Sequence, residues 1–195
     1  MKVSQLSGLL RANVGKKDAK ALRNEGRVPC VLYGQGSQLH FSAKSIEAEK
    51  LIFTPDVYQV ELDVDGKKTK AIVKDIQQDN ITGAVKHIDF YELDDKKPVK
   101  VQLPVRLTGN SRGVLAGGKL LQVFRRVTVL GLPGDLPEAV TIDITKLRIG
   151  QSIRVGQIEA NGLTILEVPN AVVVSVRVAR GAAKGSDAGD DDDEE

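Results

Sequence analysis

The sequence has very few of the side chains that bind transition metals or act as nucleophiles, with one cysteine and two histidines among 195 residues. The single Cys30 excludes a disulfide framework and a cysteine-based zinc site, and this cysteine usage favours a reducing, cytoplasmic setting. The chain is therefore poorly equipped for metal-dependent or nucleophilic catalysis, although carboxylate chemistry stays open. We expect no metal, no cofactor and no catalytic residue.

Long apolar segments are absent as well. No run of 18 or more apolar residues occurs, which excludes a transmembrane helix. The N-terminal residues contain no apolar stretch followed by a small-residue cleavage site, so we expect no secretory signal. We therefore expect no membrane partner, and we also expect no small-molecule substrate.

The formal net charge of +2 hides an asymmetry along the chain. Residues 181–195 contain one base and seven acids, a net charge of −6, whereas residues 1–180 have a net charge of +8. The body is therefore basic. The segment after Arg180 is rich in Gly, Ala, Ser and Asp and buries too little apolar area to offset its ordering entropy, so we predict a disordered acidic tail.

The first half of the chain combines strand patterns with two short helices. Tyr58–Val64 alternates apolar and polar residues, which predicts a half-buried strand. Asp65-Gly66 tolerates positive φ and predicts a hairpin into a strand over 67–76, and another strand follows over 84–91. Helix formers over 16–25 precede Gly26 as C-cap. A second helix is predicted over 43–53, with Ser42 as N-cap.

Strands continue in the second half, beyond a charged boundary at residues 93–98. Apolar residues alternate over 99–107, and Pro104 within this run predicts an edge strand. Residues 109–119 are glycine-rich but lack the order of a phosphate-binding loop, and we interpret them as a long loop. Strands predicted over 126–130, 139–144, 151–155, 163–166 and 172–178 indicate a β-sandwich or open barrel. We predict domains at 1–93 and 94–180, followed by the tail at 181–195.

A cluster of bases is the first candidate functional feature. Lys16, Lys20 and Arg23 fall at helical positions i, i+4 and i+7, so they share one face. Such clusters neutralise phosphate backbones through counterion release, but a merely solvated helix face has the same pattern. The cluster consists of Arg11, Lys16, Lys17, Lys20, Arg23 and Arg27.

A histidine and a carboxylate form the second candidate feature. His87 and Asp89 are two apart in a strand pattern, so both side chains point away from the core. Three interpretations stay open: an acid/base dyad, a structural surface pair, or RNA readout in which the carboxylate accepts from a guanine amino group. Tyr33 either contacts RNA, by stacking on a base or by a hydrogen bond through its hydroxyl, or belongs to the core.

These segments together resemble a known family. The stretches KKDAKALRNEG, RVPCVLYG, KDIQ and HIDF are similar in order and spacing to bacterial large-subunit ribosomal protein twenty-five, also called the general stress protein CTC family. Residues 103–122, 130–153 and the final valine strand resemble the C-terminal domain of its long form.

The resemblance implies a six-stranded N-terminal β-barrel that binds the loop E region of 5S rRNA through its minor groove and helps to position it in the central protuberance. Because the second domain has no obvious RNA motif, we expect it to contact neighbouring ribosomal proteins. The alternative is a stress-response module that binds RNA or protein through that second domain. The implied RNA-binding positions are Arg11, Lys16, Lys20, Arg23, Tyr33, Gln77, His87 and Asp89.

Overall fold

Strands are the commonest secondary structure in the described residues, as the alternating sequence pattern predicts. The computed structural model describes residues 1–36, 38–158 and 162–178, so the predicted disorder of residues 181–195 lies outside the described residues. The chain divides into two compact units. The first comprises Met1–Pro104, Thr128–Ala139 and Gly162–Thr164, and the second Val105–Val127, Val140–Asn161 and Ile165–Glu195. The predicted boundary at residue 93 stays a prediction.

Six strands of the first unit form a closed barrel in the order β1-β3-β2-β6-β5-β4, as the resemblance implied. Parallel pairing of β1 with β4, in which Lys2 lies opposite Tyr58, closes it. Helices α1 (Lys16–Asn24) and α2 (Ser45–Ile52) interrupt the strands. The strands are β1 (Lys2–Leu10), β2 (Arg27–Tyr33), β3 (Leu39–Lys44), β4 (Tyr58–Val64), β5 (Lys67–Gln78) and β6 (Val85–Glu92).

The barrel interior is filled by the inward side chains of these strands. Phe41 and Phe90 are fully buried, with ring centroids 5.7 Å apart. Gly8 makes this packing possible, because a Cβ there would lie 2.5 Å from the Phe41 ring. Cys30 is also fully buried, and burial raises the pKa of its thiol to about 12.

Local signals in the first unit are largely confirmed. Asp65 and Gly66 have φ of 48° and 83°, as the predicted hairpin turn requires. Gly26 has a φ of 74° just after α1, which ends one residue earlier than predicted. The N-cap prediction for Ser42 is wrong, because Ser42 belongs to β3, where its Oγ accepts a hydrogen bond from Nε of Arg27. Helix α2 therefore begins at Ser45, two residues later than predicted.

Two further sheets have the strand orders β10-β7-β9-β12 and β11-β13-β8. A one-turn helix, α3 (Arg112–Leu115), precedes β8. No helix in the described part of the chain is long and apolar enough to cross a membrane. The strands are β7 (Val99–Thr108), β8 (Gly118–Gln122), β9 (Arg126–Gly131), β10 (Val140–Asp143), β11 (Ser152–Arg154), β12 (Thr164–Ile165) and β13 (Val172–Val178).

Two predictions for this half are wrong. Strand β7 lies between β10 and β9 and is not an edge strand. Its ladder with β10 begins at Val105, immediately after Pro104, so the missing N–H of the proline falls outside that ladder. The predicted loop over 109–119 contains α3, because Oγ of Ser111 and the N–H of Gly113 both donate to the Leu147 carbonyl, at 2.7 and 2.9 Å. Ser111 and Leu147 are 36 residues apart in the sequence, so this contact is long-range.

Candidate nucleic-acid interface

A strip of polar side chains crosses three neighbouring barrel strands. Strand β5 pairs antiparallel with β6, so that Gln77 lies directly opposite His87 and Asp75 opposite Asp89. Directly opposed residues share a face of the sheet, and Ile88 and Phe90, which alternate with Asp89 along β6, are fully buried. This face is therefore the outside of the barrel. The polar strip consists of Tyr33, Asp75, Gln77, His87, Asp89 and Tyr91.

His87 and Asp89 approach each other closely on this strip. Nδ1 of His87 lies 2.7 Å from Oδ1 of Asp89, but the two atoms are not aligned as a hydrogen bond, and Nδ1 is buried without a hydrogen-bond partner. The side chains are 27% and 28% exposed. The prediction that both point away from the core is confirmed. They lie on an outer surface, whereas an acid/base dyad works in an enclosed pocket.

Tyr33 extends the polar strip onto β2, where it lies opposite Tyr91. The two rings pack edge to face, with centroids 5.8 Å apart and planes at 79°, a geometry that the ring quadrupoles favour. Burial raises the pKa of Tyr33, and the negative charges of Asp89 and Asp75 raise it further. The phenol therefore stays protonated at neutral pH as a hydrogen-bond donor near two carboxylates.

Helix α1 packs against β2, beside the polar strip. Nε of Arg23 donates a 3.0 Å hydrogen bond to the carbonyl of Lys86, the residue before His87. Arg27 on β2 donates from Nε to Oγ of Ser42 at 3.0 Å and from Nη2 to the Ser42 carbonyl at 2.7 Å. Arg23 thus ties the helix to β6, and Arg27 fixes β2 to β3.

The side chain of Arg11 is nearly buried and pairs with Asp18. Its Nε and Nη2 both donate to Oδ2 of Asp18, at 3.1 and 2.6 Å, and its side chain is 7% exposed. The backbone N–H of Arg11 also donates to the carbonyl of His40 at 3.0 Å. Asp18 therefore neutralises a nearly buried guanidinium, and it does not pair with the lysines of α1.

Three lysines form the exposed charge of α1. Lys16, Lys17 and Lys20 are exposed, and no acid in residues 1–36, 38–158 or 162–178 forms an ion pair with them. Lys16 and Lys20 lie one turn apart on the same face, as the spacing predicts. This lysine face, Lys16, Lys17 and Lys20, is available to an anionic ligand, as are the Nη groups of the exposed Arg23.

Sequence reasoning missed Asp75 as a member of the polar strip. It is exposed and lies directly opposite Asp89, an arrangement of like charges that is unfavourable within a sheet. Its spacing of two from Gln77 was a usable signal. However, the register of β5 against β6 shifts between Val73 and Asp75. Because of this shift, simple alternation along β5 does not predict which face of the sheet the residues before Asp75 point to.

A tight loop precedes β6 at the end of the polar strip. Oδ1 of Asp79 accepts hydrogen bonds from the N–H groups of Ile81 and Thr82, at 2.9 and 3.2 Å. Oδ2 of Asp79 lies 2.6 Å from Nζ of Lys86. The hydrogen bond from Lys86, followed by those from the two backbone groups, lowers the pKa of Asp79 well below its usual range. This acid thus organises the loop and offsets the charge of Lys86.

Comparison with known proteins matches both halves of the chain. Residues 6–90 match the Ribosomal L25p family, and residues 98–180 match the family described as ribosomal protein TL5, C-terminal domain. The first match includes α1 and every residue of the polar strip except Tyr91.

Relatives of nearly equal length are similar along the whole chain. The chain is 44% identical to large ribosomal subunit protein bL25 of Porphyromonas gingivalis, over 95% of this chain and 97% of the relative. It is 40% identical to bL25 of Phocaeicola vulgatus over the same shares, and 41% identical to bL25 of Cytophaga hutchinsonii over 92% of this chain and 94% of that relative.

These relatives are ribosomal proteins, a structural class and not an enzymatic one. The chain belongs to the Ribosomal L25p family, proteins of the large ribosomal subunit. The family that its sequence motifs resemble is thereby confirmed, and membership implies the cytoplasmic ribosome as its location.

Proposed function

We propose that this chain is a structural protein of the large ribosomal subunit that binds 5S rRNA through α1 and the polar strip. The resemblance of its motifs suggests the minor groove of loop E as the target and the central protuberance as the location. One observation supports this most directly. The hydrogen bond from Arg23 to the Lys86 carbonyl brings the exposed lysine face of α1 beside His87 and the rest of the strip.

The lysines of α1 contact phosphates in this proposal. Lys16, Lys17 and Lys20 have no protein counter-charge among the described residues, so RNA phosphates displace only solvent ions from them. Such contacts contribute affinity and fix the orientation of the protein, but they do not read sequence.

The polar strip recognises the shape and base edges of the RNA. A-form RNA presents 2′-hydroxyls and base edges in a wide, shallow minor groove, which a barrel surface with short polar side chains fits. The carboxylate of Asp89 accepts from a guanine N2 amino group, the donor found only on G·C pairs in that groove. Gln77 and His87 bond 2′-hydroxyls, and the hydroxyl of Tyr33 donates to an acceptor oxygen.

Arg11 and Arg23 support binding mainly by positioning. Arg11 is 7% exposed and paired with Asp18, and Nε of Arg23 is engaged with the Lys86 carbonyl. Their predicted contacts with RNA stay predictions. We propose that their larger contribution is to hold the lysine face of α1 in register with the polar strip.

Footprinting tests the proposed target. Purified 5S rRNA is cleaved by hydroxyl radicals with and without the full chain, and 2′-hydroxyl acylation is followed in parallel. We expect protection confined to the minor-groove side of loop E, because the polar strip contacts sugars there. Uniform protection along the molecule, or equal affinity for a scrambled RNA of the same length, contradicts the proposal.

A matched pair of double variants tests the surface. Lys16→Gln/Lys20→Gln removes two charges from α1, whereas Lys67→Gln/Lys68→Gln removes two at the start of β5, about 30 Å along that strand from Gln77. We expect 5S rRNA binding to fall for the first pair and to change little for the second. Equal losses contradict the assignment of α1 as the interface.

A further inference from the structure

The second unit contains nearly all of the net positive charge of the described chain. Its described residues include nine bases and only two acids, Asp143 and Glu167, whereas those of the first unit include seventeen bases and sixteen acids. Seven of the nine bases are arginines. The charge excess is therefore not centred on α1, and the proposed 5S rRNA contact leaves it without a role.

Two cations lie directly opposite each other in the three-stranded sheet. Lys119 on β8 pairs in register with Arg177 on β13, and both are exposed. Strands β8, β11 and β13 contain three bases and no acid. Like charges directly opposite across a sheet are destabilising. An anionic ligand removes this repulsion, so the arrangement favours an anion-binding role.

Two more guanidinium groups flank a surface hollow in the same unit. Arg112 and Arg148 line it together with Gly113, Ala116 and Ile149, and its volume is about 340 Å³. Both arginines are exposed, and no acid in the described part of the second unit forms an ion pair with either.

Hydrogen bonds hold the two segments that line this hollow next to each other. The N–H of Gly113 donates to the Leu147 carbonyl at 2.9 Å, and Oγ of Ser111 donates to the same oxygen at 2.7 Å. A Cβ at position 113 would lie 2.7 Å from the backbone nitrogen of Ile149, so only glycine permits this approach. The segments that bear Arg112 and Arg148 are therefore locked together, which pre-organises the two charges.

We propose that the second unit has two sites of its own for the RNA phosphate backbone, one formed by Arg112 with Arg148 and the other by Lys119 with Arg177. Arginine is suited to this ligand, because its planar guanidinium donates two hydrogen bonds to one phosphate. RNA is the favoured polyanion, since the chain belongs to a family of large-subunit ribosomal proteins. Both sites are additional to the proposed 5S rRNA contact of the first unit.

The test measures binding of the full chain to a 24-base-pair RNA duplex without 5S sequence, by fluorescence anisotropy across a salt series. The variants are Arg112→Gln/Arg148→Gln and Lys119→Gln/Arg177→Gln, with Lys67→Gln/Lys68→Gln as the control of equal charge change. We expect each second-unit pair to weaken binding at least fivefold at low salt and to reduce the salt slope by about one to two units. The control should leave the slope unchanged.

Two further measurements keep the result unambiguous. Arg112→Lys/Arg148→Lys should retain the salt slope while losing part of the affinity, because lysine keeps the charge but not the bidentate geometry. The unfolding temperature should not fall, since all four side chains are exposed and the second pair loses a like-charge repulsion. Salt slopes of the second-unit variants equal to that of the control overturn the proposal. Displacement of the duplex by polyaspartate at equal charge concentration also overturns it, because that result indicates a site for an acidic protein. Neither outcome depends on 5S rRNA binding by α1.

Discussion

Arg11 and Asp18 are joined by two hydrogen bonds, in which Nε and Nη2 of the guanidinium both donate to one carboxylate oxygen, Oδ2, at 3.1 and 2.6 Å. Arg11 follows β1, and Asp18 lies in the first turn of α1. The contact therefore closes the connection between barrel and helix. It also explains why an acid occurs within a cluster of bases.

Breaking this contact should affect stability and RNA binding in opposite directions. Asp18→Asn leaves the nearly buried Arg11 without its counter-charge, so we expect a loss of about 1 to 2 kcal/mol in the free energy of unfolding. The variant also adds one positive charge beside the lysine face, which should tighten 5S rRNA binding at low salt. Urea unfolding and filter binding measure the two effects. Unchanged stability would show that the contact does not anchor α1.

Lys16 should contribute through charge alone. Lys16→Ala removes one phosphate contact, and we expect the salt slope of 5S rRNA binding to fall by roughly one unit with little effect on sequence preference. Lys67→Ala, which removes the same charge at the start of β5, is the control. A slope that is equal for Lys16→Ala and wild type would exclude a phosphate contact at this position.

Asp89 should contribute through base or sugar recognition. We expect Asp89→Ala to weaken 5S rRNA binding by about 1 to 3 kcal/mol. Stability should not fall, because Asp75 lies directly opposite and the change removes a like-charge pair. Asp95→Ala, at an exposed position outside the strip, is the control with the same charge change. Wild-type affinity for Asp89→Ala in a filter-binding titration would contradict its role.

Cys30 should report on opening of the barrel. Burial raises the pKa of its thiol from 9.0 to about 12, so the unfolded state loses its proton first as pH rises. Its contribution to stability is therefore complete below pH 9.0 and is lost between pH 9.0 and about 12. We expect a thiol reagent at pH 8 to react only with unfolded protein. Rapid reaction of the native protein would contradict this burial, and Cys30→Ala should flatten the pH dependence of urea unfolding.

The acidic residues 181–195 should weaken non-specific RNA binding. Their net charge of −6 competes with RNA for the basic surfaces of the body. Deleting these residues should tighten binding to unrelated RNA at low salt, and the difference should vanish at high salt as charges are screened. Identical binding of the full and truncated chains at low salt would count against competition.

Charge counting along the sequence indicated α1 as the most basic region, whereas in the folded chain the net positive charge lies mainly in the second unit. Residues 1–35 have a net charge of +5, yet acids elsewhere in the first unit nearly balance it. The arginines of the second unit are scattered between residues 106 and 177, so no short window reveals them. Only pairing of β8 with β13 places Lys119 opposite Arg177.

The sequence by itself determined the features that depend on near neighbours. These are the turn at Asp65-Gly66, helix α1, the strand Val172–Val178 and the motifs that identify the family, because propensity and capping act over a few residues. Tertiary structure decided the features that depend on distant partners. Strand β1 closes the barrel only by pairing with β4, more than fifty residues away, and Gln77 meets His87 only through the register of β5 and β6. Long-range pairing selects one arrangement from many that local patterns allow, and that arrangement places the polar strip beside α1.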